Sequence, residues 1–265
     1  MVRRGVTMSA LRKFIYAQGA TRNITLQEWD KFWAINKDEF EPTAPRYMGV
    51  AQDGATPLHI AGGDAVELSG SDVAAGAITV KLVPPMKDES PLRPMRVAKT
   101  VLLEAEDAET CSVGDKMILV NWGVVEVTAV EKDAASGKVL SLSGERQPEV
   151  SVKKIPRKFT WVADTSDVLV GSIKEYDHLV TKPKLEEGED FKDFIRNPSA
   201  GTMPVLLEPC LRSLKHGDII QLMRRGFFRV DQALDEAKGQ GLELILIPDG
   251  KAKAMSTLKT ALPHA

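Results

Sequence analysis

The feature that most constrains the fold of this sequence is a series of short runs rich in β-branched and aliphatic residues. Nine such runs lie between positions 77 and 250, at 77–83, 99–105, 116–122, 124–130, 138–144, 158–163, 218–225, 227–231 and 243–250. Turn sequences such as SVGD at 112–115 and KHGD at 215–218 separate them. Many short strands at this spacing predict an antiparallel β-sandwich or β-barrel.

Residues 1–40 have a helical pattern instead. A first helix is indicated by apolar residues at helical spacing, Met8, Leu11, Phe14 and Ile15, with Gly19 as its expected end. A capping box at Thr25–Glu28 predicts the start of a second helix. The apolar stripe of that helix consists of Trp29, Phe32, Trp33, Asn36 and Phe40. Pro42 and Pro45 end it, because proline lacks a backbone donor and disfavours helical geometry before it.

The charge of the chain is balanced overall but uneven along its length. It has 35 basic and 37 acidic residues among 265, a net charge of −2. Residues 1–50 hold 8 basic and 5 acidic side chains, 51–150 hold 9 and 16, and 151–265 hold 18 and 16. If the two ends of the chain meet, they form a basic face suited to RNA phosphates. The alternative is an ordinary solvated surface of mixed charge.

No catalytic or metal site is predicted. None of the four histidines lies at metal-ligand spacing from a cysteine or carboxylate, and neither a phosphate-binding glycine loop nor a serine nucleophile elbow occurs. Cys111 and Cys210 indicate buried thiols in a reducing compartment. Apolar runs fall short of the roughly 20 residues that span a bilayer, so we expect a cytoplasmic chain without a membrane partner.

Several segments resemble, in order, the C-terminal half of glutamyl-tRNA synthetases of the eukaryotic and archaeal type. They are RRGVT followed by LRKFIYAQGATRN within 3–23, EWDKFWAINK at 28–37, PTAPRYMGV at 42–50, VNWG at 120–123, YDHLVTKP at 176–183, GEDF at 188–191 and GDIIQLMRRGFF at 217–228. The tryptophan helix before APRY and the segment IQLMRRGFF are the most specific. Glutaminyl-tRNA synthetases share the architecture, while the two tryptophans and the following NK favour the glutamyl branch.

This resemblance implies a mainly β fold of two six-stranded antiparallel β-barrels after an N-terminal helical subdomain. The helical part, residues 1–42, would contact the inside of the tRNA. The proximal barrel would comprise 43–114 and 182–265, and a distal barrel of 115–181 would be inserted in it. The family's catalytic domain precedes this region. The resemblance therefore implies no cofactor in this chain, and ATP and Mg in the intact enzyme.

The candidate RNA-binding residues are Arg46, Gln221, Arg224, Arg225, Lys153, Lys154 and Arg157. The resemblance places the anticodon-contacting arginine of the APR motif at Arg46 and the anticodon-reading glutamine and arginine at Gln221 and Arg224. Glutamine can donate to and accept from a base edge, while arginine presents a planar fork. Residues three apart in a flat strand face opposite sides, so Gln221 and Arg224 need a bulge or turn near Gly226.

Other readings of these residues remain open. Arg46 could form a surface salt bridge, the segment around Gln221 could be a charged edge strand, and 153–158 could be a solvated basic run. Phe227 and Phe228 alternate faces, which predicts one in the core and leaves the other available to stack on a base.

The function implied is recognition of the anticodon loop of tRNA(Glu) for aminoacylation. Other synthetases or a tRNA-binding scaffold protein are further candidate partners, and DNA is not expected as one. The alternatives are the same region of a glutaminyl-tRNA synthetase, a protein-interaction module of a multi-synthetase complex, and an enzyme with an unrecognised site.

Overall fold

Short strands make up most of the chain after residue 45. The computed structural model describes residues 1–20, 22, 27, 29–61, 77–82, 91–182 and 184–250. Within these ranges the helices are α1 (Met8–Gln18), α2 (Trp29–Phe40) and α3 (Ala105–Glu109). The strands are β1 (Arg46–Tyr47), β2 (Gly49–Ala51), β3 (Thr56–Ala61), β4 (Ala77–Lys81), β5 (Leu92–Arg96), β6 (Thr100–Leu103), β7 (Lys116–Leu119), β8 (Gly123–Lys132), β9 (Val139–Arg146), β10 (Lys158–Phe159), β11 (Trp161–Ala163), β12 (Leu169–Tyr176), β13 (Ala200–Leu207), β14 (Ile219–Leu222), β15 (Gly226–Gln232) and β16 (Leu242–Ile247). Every one of the nine predicted runs overlaps a strand.

One seven-stranded sheet, sheet A, joins the two ends of the chain. Its order is β1-β14-β15-β16-β12-β13-β2. The edge strands β1 and β2 are consecutive in the chain and separated only by Met48, so the two edges of the sheet lie next to each other. Inside, a cluster of buried aliphatic and aromatic residues includes Ile173, Leu222 and Phe228.

A second seven-stranded sheet, sheet B, has the order β10-β7-β8-β9-β3-β6-β11. Its edge strands β10 and β11 are also consecutive and are separated only by Thr160. A separate core fills it, with Leu58, Leu119 and Trp161 fully buried. Strands β4 and β5 form an additional two-stranded ribbon.

The observed sheets differ from the predicted barrels in two respects. Each has seven strands instead of six, and some neighbours are parallel, such as β1 with β14 and β3 with β9. Strands β3 and β6 belong to sheet B, and β12 belongs to sheet A. The domain boundaries at 115 and 181 stay a prediction. Strand β3 contains Pro57, which normally argues against an inner strand. Strand β12 interrupts its apolar pattern with Gly171.

The two sheets repeat one hairpin. In sheet B, Leu119 pairs with Gly123 across a three-residue turn in which Asn121 has a φ of 68°. In sheet A, Leu222 pairs with Gly226 across a turn of the same length, in which Arg224 has a φ of 66°. Both closing glycines have a φ of 130°, which side chains disfavour.

The strand beside this hairpin is also equivalent in the two sheets, although its place in the chain differs. Strand β10 pairs in parallel with β7, as β1 does with β14. In sheet B this broken strand, β10 and β11, comes last, whereas in sheet A its counterpart, β1 and β2, comes first. The two sheets are therefore circularly permuted relative to each other.

The N-terminal helices pack on the outside of sheet A. The rings of Phe14 and Phe32 join α1 to α2 at 5.4 Å, and those of Phe40 and Phe227 join α2 to β15 at 5.1 Å. Asn36 is fully buried, where it donates to the Gly5 carbonyl at 3.0 Å and accepts from the Thr7 amide at 2.8 Å. Because these contacts form one apolar cluster with β15 and β16, the helices share their core with the sheet.

Two details of the helix prediction need correction. The α2 stripe is buried except for Trp29, which is 47% exposed. On α1, Met8 and Ile15 are exposed, and burial falls on Ala10 instead. Gly19 ends α1, as predicted, while the capping box at 25–28 lies outside the described residues.

Candidate nucleic-acid interface

Arg46 and Gln221 lie side by side. They are directly paired in the parallel register of β1 and β14. The Gln221 amide donates to the Pro45 carbonyl at 2.9 Å, and the Arg46 amide donates to the Leu82 carbonyl at 2.8 Å. The proline break after α2 thus delivers Arg46 to the edge of sheet A, where it meets a strand from the other end of the chain.

The two side chains lie on the outer face of the sheet. Cross-strand neighbours share a face, and Gln221 is paired with Phe227, whose ring packs against Phe40 of α2. The next residues of β1 and β14, Tyr47 and Leu222, belong to the interior cluster of sheet A. Arg46 and Gln221 therefore point to the side of the sheet on which the helices pack.

Each of the two side chains keeps a buried polar atom without a partner. Among the described residues, neither Nε of Arg46 nor Oε1 of Gln221 has a hydrogen-bond partner. Buried polar atoms in folded proteins are nearly always satisfied, and here an unpaired donor and an unpaired acceptor lie on two residues that are paired across neighbouring strands. A nucleobase edge has this combination of groups.

Arg224 and Arg225 lie at the tip of the β14–β15 hairpin and are already bound to carboxylates. The guanidinium of Arg224 donates to the Asp107 carboxylate of α3 from both terminal nitrogens. Nη1 donates to Oδ2, and Nη2 donates to Oδ1 at 2.8 Å. Arg225 donates to Glu104 Oε1 from Nε at 3.0 Å and from Nη2 at 2.6 Å. The hydrogen bond to Asp107 raises the pKa of Arg224 above its usual value. These arginines connect sheet A to α3 of the neighbouring sheet.

Arg157 is also engaged on the α3 side. Its Nη1 donates to the Thr110 carbonyl at 3.2 Å and to Asp115 Oδ2 at 2.6 Å. A hydrogen bond from the Ser112 amide, followed by that from Arg157, holds the pKa of Asp115 below its usual value. Lys153 is exposed, and both it and Lys154 lie in a short 3-10 turn.

The seven candidate residues thus fall into distinct groups. The structure brings Arg46 and Gln221 together on the α2 side of sheet A. It gathers Arg224, Arg225 and Arg157 around α3, each with an acidic partner. The required turn between Gln221 and Arg224 is present, since Leu222 pairs with Gly226.

The prediction that a phenylalanine is free to stack on a base is wrong. Phe228 lies in the interior of sheet A, and Phe227 is buried in the cluster between the sheet and the helices. What lies over the Phe227 ring is instead Nζ of Lys37, 5.8 Å from its centroid. The helical spacing did not predict a role for Lys37, because Lys37 is not one of the residues in the aromatic stripe of α2.

A second missed feature is the ion pair of Arg93 and Glu208 behind β1. Arg93 donates to the Arg46 carbonyl at 3.1 Å, so it contacts the strand that carries the candidate arginine. The sequence around it, PLRPMR, contains two prolines and did not indicate a strand. Only the tertiary structure shows this contact.

Two searches of the described part of the chain were negative. It contains no group of three or more histidine, cysteine, aspartate or glutamate side chains arranged to hold a metal ion. Nor does any helix there have the length and apolarity needed to cross a bilayer.

Comparison with known families decides what this arrangement of sheets represents. Residues 44–147 and residues 158–231 match two family models, each described as the anticodon-binding domain of class I tRNA synthetases for E and Q. The chain belongs to this family. The first matched range ends after β9 and the second begins at β10, and together they cover most of both sheets of this anticodon-binding region.

Several eukaryotic proteins are similar to this anticodon-binding region. It is 38% identical over 264 residues to the bifunctional glutamate/proline–tRNA ligase of Cricetulus griseus, covering 97% of this chain and 17% of that protein. It is 36% identical over 249 residues to a probable cytoplasmic glutamate–tRNA ligase of Schizosaccharomyces pombe, and the match covers 94% of this chain and 33% of that protein. Against the cytoplasmic glutamate–tRNA ligase of Arabidopsis thaliana it is 34% identical over 254 residues, with 95% and 34% covered. The chain spans about a third or less of the length of these relatives.

Proposed function

We propose that this chain binds the anticodon loop of tRNA(Glu), and that Arg46 and Gln221 together read one of its bases. The observation that carries the proposal is their direct pairing across β1 and β14, with one orphan donor and one orphan acceptor. Bases of single-stranded loops can be splayed out and hydrogen-bonded along their edges. A guanidinium and a carboxamide held at adjacent positions match such an edge.

The remaining candidate residues would contribute differently. Phosphate contacts supply affinity and position, whereas base contacts supply choice. We assign the turn with Lys153 and Lys154 to phosphate attraction. Arg224, Arg225 and Arg157 are bound to Asp107, Glu104 and Asp115. Each can therefore contact RNA only with the part of its guanidinium that the carboxylate leaves available.

We further propose that the two sheets are the two barrels of the family architecture. Each pair of consecutive edge strands, β1 with β2 and β10 with β11, can be counted as one broken strand, which gives six strands per barrel. Sheet B lies between β2 and β12 in the chain, so it would be the inserted barrel. The N-terminal helices would contact the tRNA outside its anticodon.

The wider setting follows from the relatives. Proteins named as cytoplasmic glutamate–tRNA ligases match nearly all of this chain over a third of their length. We propose that the intact protein is such a cytoplasmic enzyme, whose ATP- and Mg-dependent chemistry takes place outside this chain. The bifunctional glutamate/proline relative suggests that other synthetase units are further partners.

In this account the chain contributes recognition. Anticodon binding would favour the aminoacylation-competent state of the intact enzyme only if that state binds the anticodon more tightly than the alternative. Arg46 and Gln221 could supply such a difference, because a base that is slightly displaced cannot satisfy both orphan atoms.

The direct test is titration of this chain with a tRNA(Glu) anticodon stem-loop and with anticodon-swapped stem-loops at two salt concentrations. Phosphate attraction weakens with salt for every RNA, whereas base reading appears as a difference between cognate and swapped RNA that persists. We expect a preference for the cognate stem-loop at both salts. Equal affinities for all stem-loops would refute base reading, and a preference for a tRNA(Gln) anticodon would favour the glutaminyl alternative.

A further inference from the structure

The strand that carries Arg46 has little pairing of its own. Strand β1 is an edge of sheet A and has only two residue pairs with β14. Its other side faces the β4–β5 ribbon, where the Arg46 amide donates to the Leu82 carbonyl at 2.8 Å. The strand is interrupted at Met48, and β2 begins at the next residue. Besides the two backbone hydrogen bonds from the β14 segment, from Gln221 to Pro45 and from Met223 to Tyr47, the position of Arg46 therefore depends on contacts from outside the sheet.

A buried ion pair supplies those contacts. Arg93 of β5 and Glu208, which follows β13, are 7% and 3% exposed. They form a two-point pair, Arg93 Nη1 with Glu208 Oε2 and Nη2 with Oε1, the latter at 2.9 Å. Burial alone lowers the pKa of Arg93, but the hydrogen bond and charge of Glu208 outweigh it and hold the pKa above its usual value.

This pair contacts three consecutive residues at the break between β1 and β2, Arg46, Tyr47 and Met48. Arg93 Nη2 donates to the Arg46 carbonyl at 3.1 Å, and the guanidinium lies 4.9 Å from the centroid of the Tyr47 ring. Glu208 Oε1 accepts from the Met48 amide at 2.6 Å. The pair therefore satisfies backbone groups at the strand break, where no regular ladder partner is available.

We propose that Arg93 and Glu208 are positioning residues for anticodon reading, which fix β1 so that Arg46 meets the same base as Gln221. This inference rests on the proposed function of Arg46 and Gln221. A base-reading pair must be held to within a fraction of an ångström, and such precision comes from the residues behind the contacting side chains. A buried ion pair often adds little net stability, so its value here lies in the geometry that it imposes.

The equivalent position in sheet B supports this role. Glu104 follows β6 as Glu208 follows β13, and it also binds the broken strand of sheet A. Its carboxylate accepts from the Ala51 amide at 3.2 Å and pairs with Arg225 of the β14–β15 hairpin. The two glutamates accept from the amides at opposite ends of the 48–51 segment, Met48 and Ala51, and each of them also pairs with an arginine.

The test compares variants of this chain in binding the cognate and anticodon-swapped stem-loops. Removing one partner would leave a buried charge, so the main variant replaces both, Arg93→Met with Glu208→Leu, which usually preserves folding. We expect the ratio of swapped to cognate Kd to fall by about tenfold, the scale of one lost charged hydrogen bond, while the salt dependence stays that of the parent. Arg93→Lys keeps the charge without the planar fork, and we expect the same loss of preference from it.

The matched control is Arg96→Met, which removes an ion pair with Asp167 from the same strand, β5. It should keep the parent's ratio of swapped to cognate Kd.

An unchanged ratio in the folded double variant overturns the inference. If that variant does not fold, an unchanged ratio in Arg93→Lys overturns it. Arg46→Ala distinguishes a failure of the positioning role from a failure of the proposed function. If it loses the preference while the Arg93 variants keep it, only the positioning role fails, whereas a parent chain without any preference removes the proposed function itself.

Discussion

Arg46 and Gln221, which come from opposite ends of the chain, are directly paired across the parallel strands β1 and β14. Sheet A creates this proximity, because its edge strand comes from the segment after α2 and its next two strands come from beyond residue 218. The pairing is what makes a two-residue base-reading site possible.

The first prediction concerns the ion pair of Arg224 and Asp107. The side chain of Arg224 is 45% exposed, so its pair should add at most about 1 kcal/mol to the free energy of unfolding. We expect Arg224→Ala to lower stability only by that amount in urea unfolding, and Arg12→Ala, an exposed arginine of α1, to change it less.

RNA binding distinguishes the two roles of Arg224. If Arg224 contacts phosphate, Arg224→Ala should weaken stem-loop binding, whereas Asp107→Asn, which releases the guanidinium, should strengthen it at low salt. Equal weakening by Arg224→Ala and Asp107→Asn would mean that the pair acts only as a clamp between the β14–β15 hairpin and α3.

The second prediction concerns the closing glycine of the β14–β15 hairpin. Gly226 has a φ of 130°, and an added Cβ would come within 3.3 Å of Leu246 Cδ1. We expect Gly226→Ala to lower the free energy of unfolding by about 1–3 kcal/mol, because a side chain strains this backbone conformation. Denaturant unfolding measures it, with Gly241→Ala as the control, since nothing described lies within 4 Å of an added Cβ there. An equal effect of the two substitutions would contradict the hairpin geometry.

The third prediction concerns pH. Hydrogen bonds from the Ser112 amide and from Arg157 hold the pKa of Asp115 below its ordinary value of 3.8. A carboxylate with a lowered folded pKa stabilises the fold at pH values above its unfolded pKa, and this contribution is lost as the pH falls through the folded pKa. Asp115→Asn should therefore be less stable than the parent at pH 7, and the difference should shrink below about pH 4.

Thermal unfolding at several pH values measures this difference. Arg157→Met removes the second cause but leaves the hydrogen bond from Ser112, so its effect should have the same sign and be smaller. A difference between Asp115→Asn and the parent that is constant from pH 7 to pH 3 would show that Asp115 contributes nothing through its ionisation.

The strands were largely predictable from the sequence because most carry dense β-branched runs. Strands β7, β8 and β15 are examples, each bounded by glycine-containing turns. Strands β3, β12 and β13 were among those missed, because Pro57, Gly171 and Pro204 interrupt the local signal in them. Register and sheet membership are set by tertiary packing, which local propensity reports poorly.

The candidate site shows the same division between local and long-range information. The family resemblance implied that one barrel takes strands from both ends of the chain, so that Arg46 and the segment around Gln221 would meet, and the uneven charge agreed with this. The pair of Arg93 and Glu208 could not be predicted in this way, since 115 positions separate its members and neither lies in a recognisable motif. The carboxylates that bind Arg224 and Arg225 could not be predicted either, because no motif in the sequence of α3 indicates a contact with a distant hairpin.

The most direct test of the central claim measures the Kd of Arg46→Ala, Gln221→Ala and the double variant for cognate and anticodon-swapped stem-loops. If the two side chains read one base, each single variant should weaken cognate binding by roughly 1–3 kcal/mol, and the double variant should lose less than the sum. The swapped stem-loops should bind all variants like the parent. Cognate binding that is unchanged in both single variants, or an equal loss for every stem-loop, would contradict the claim.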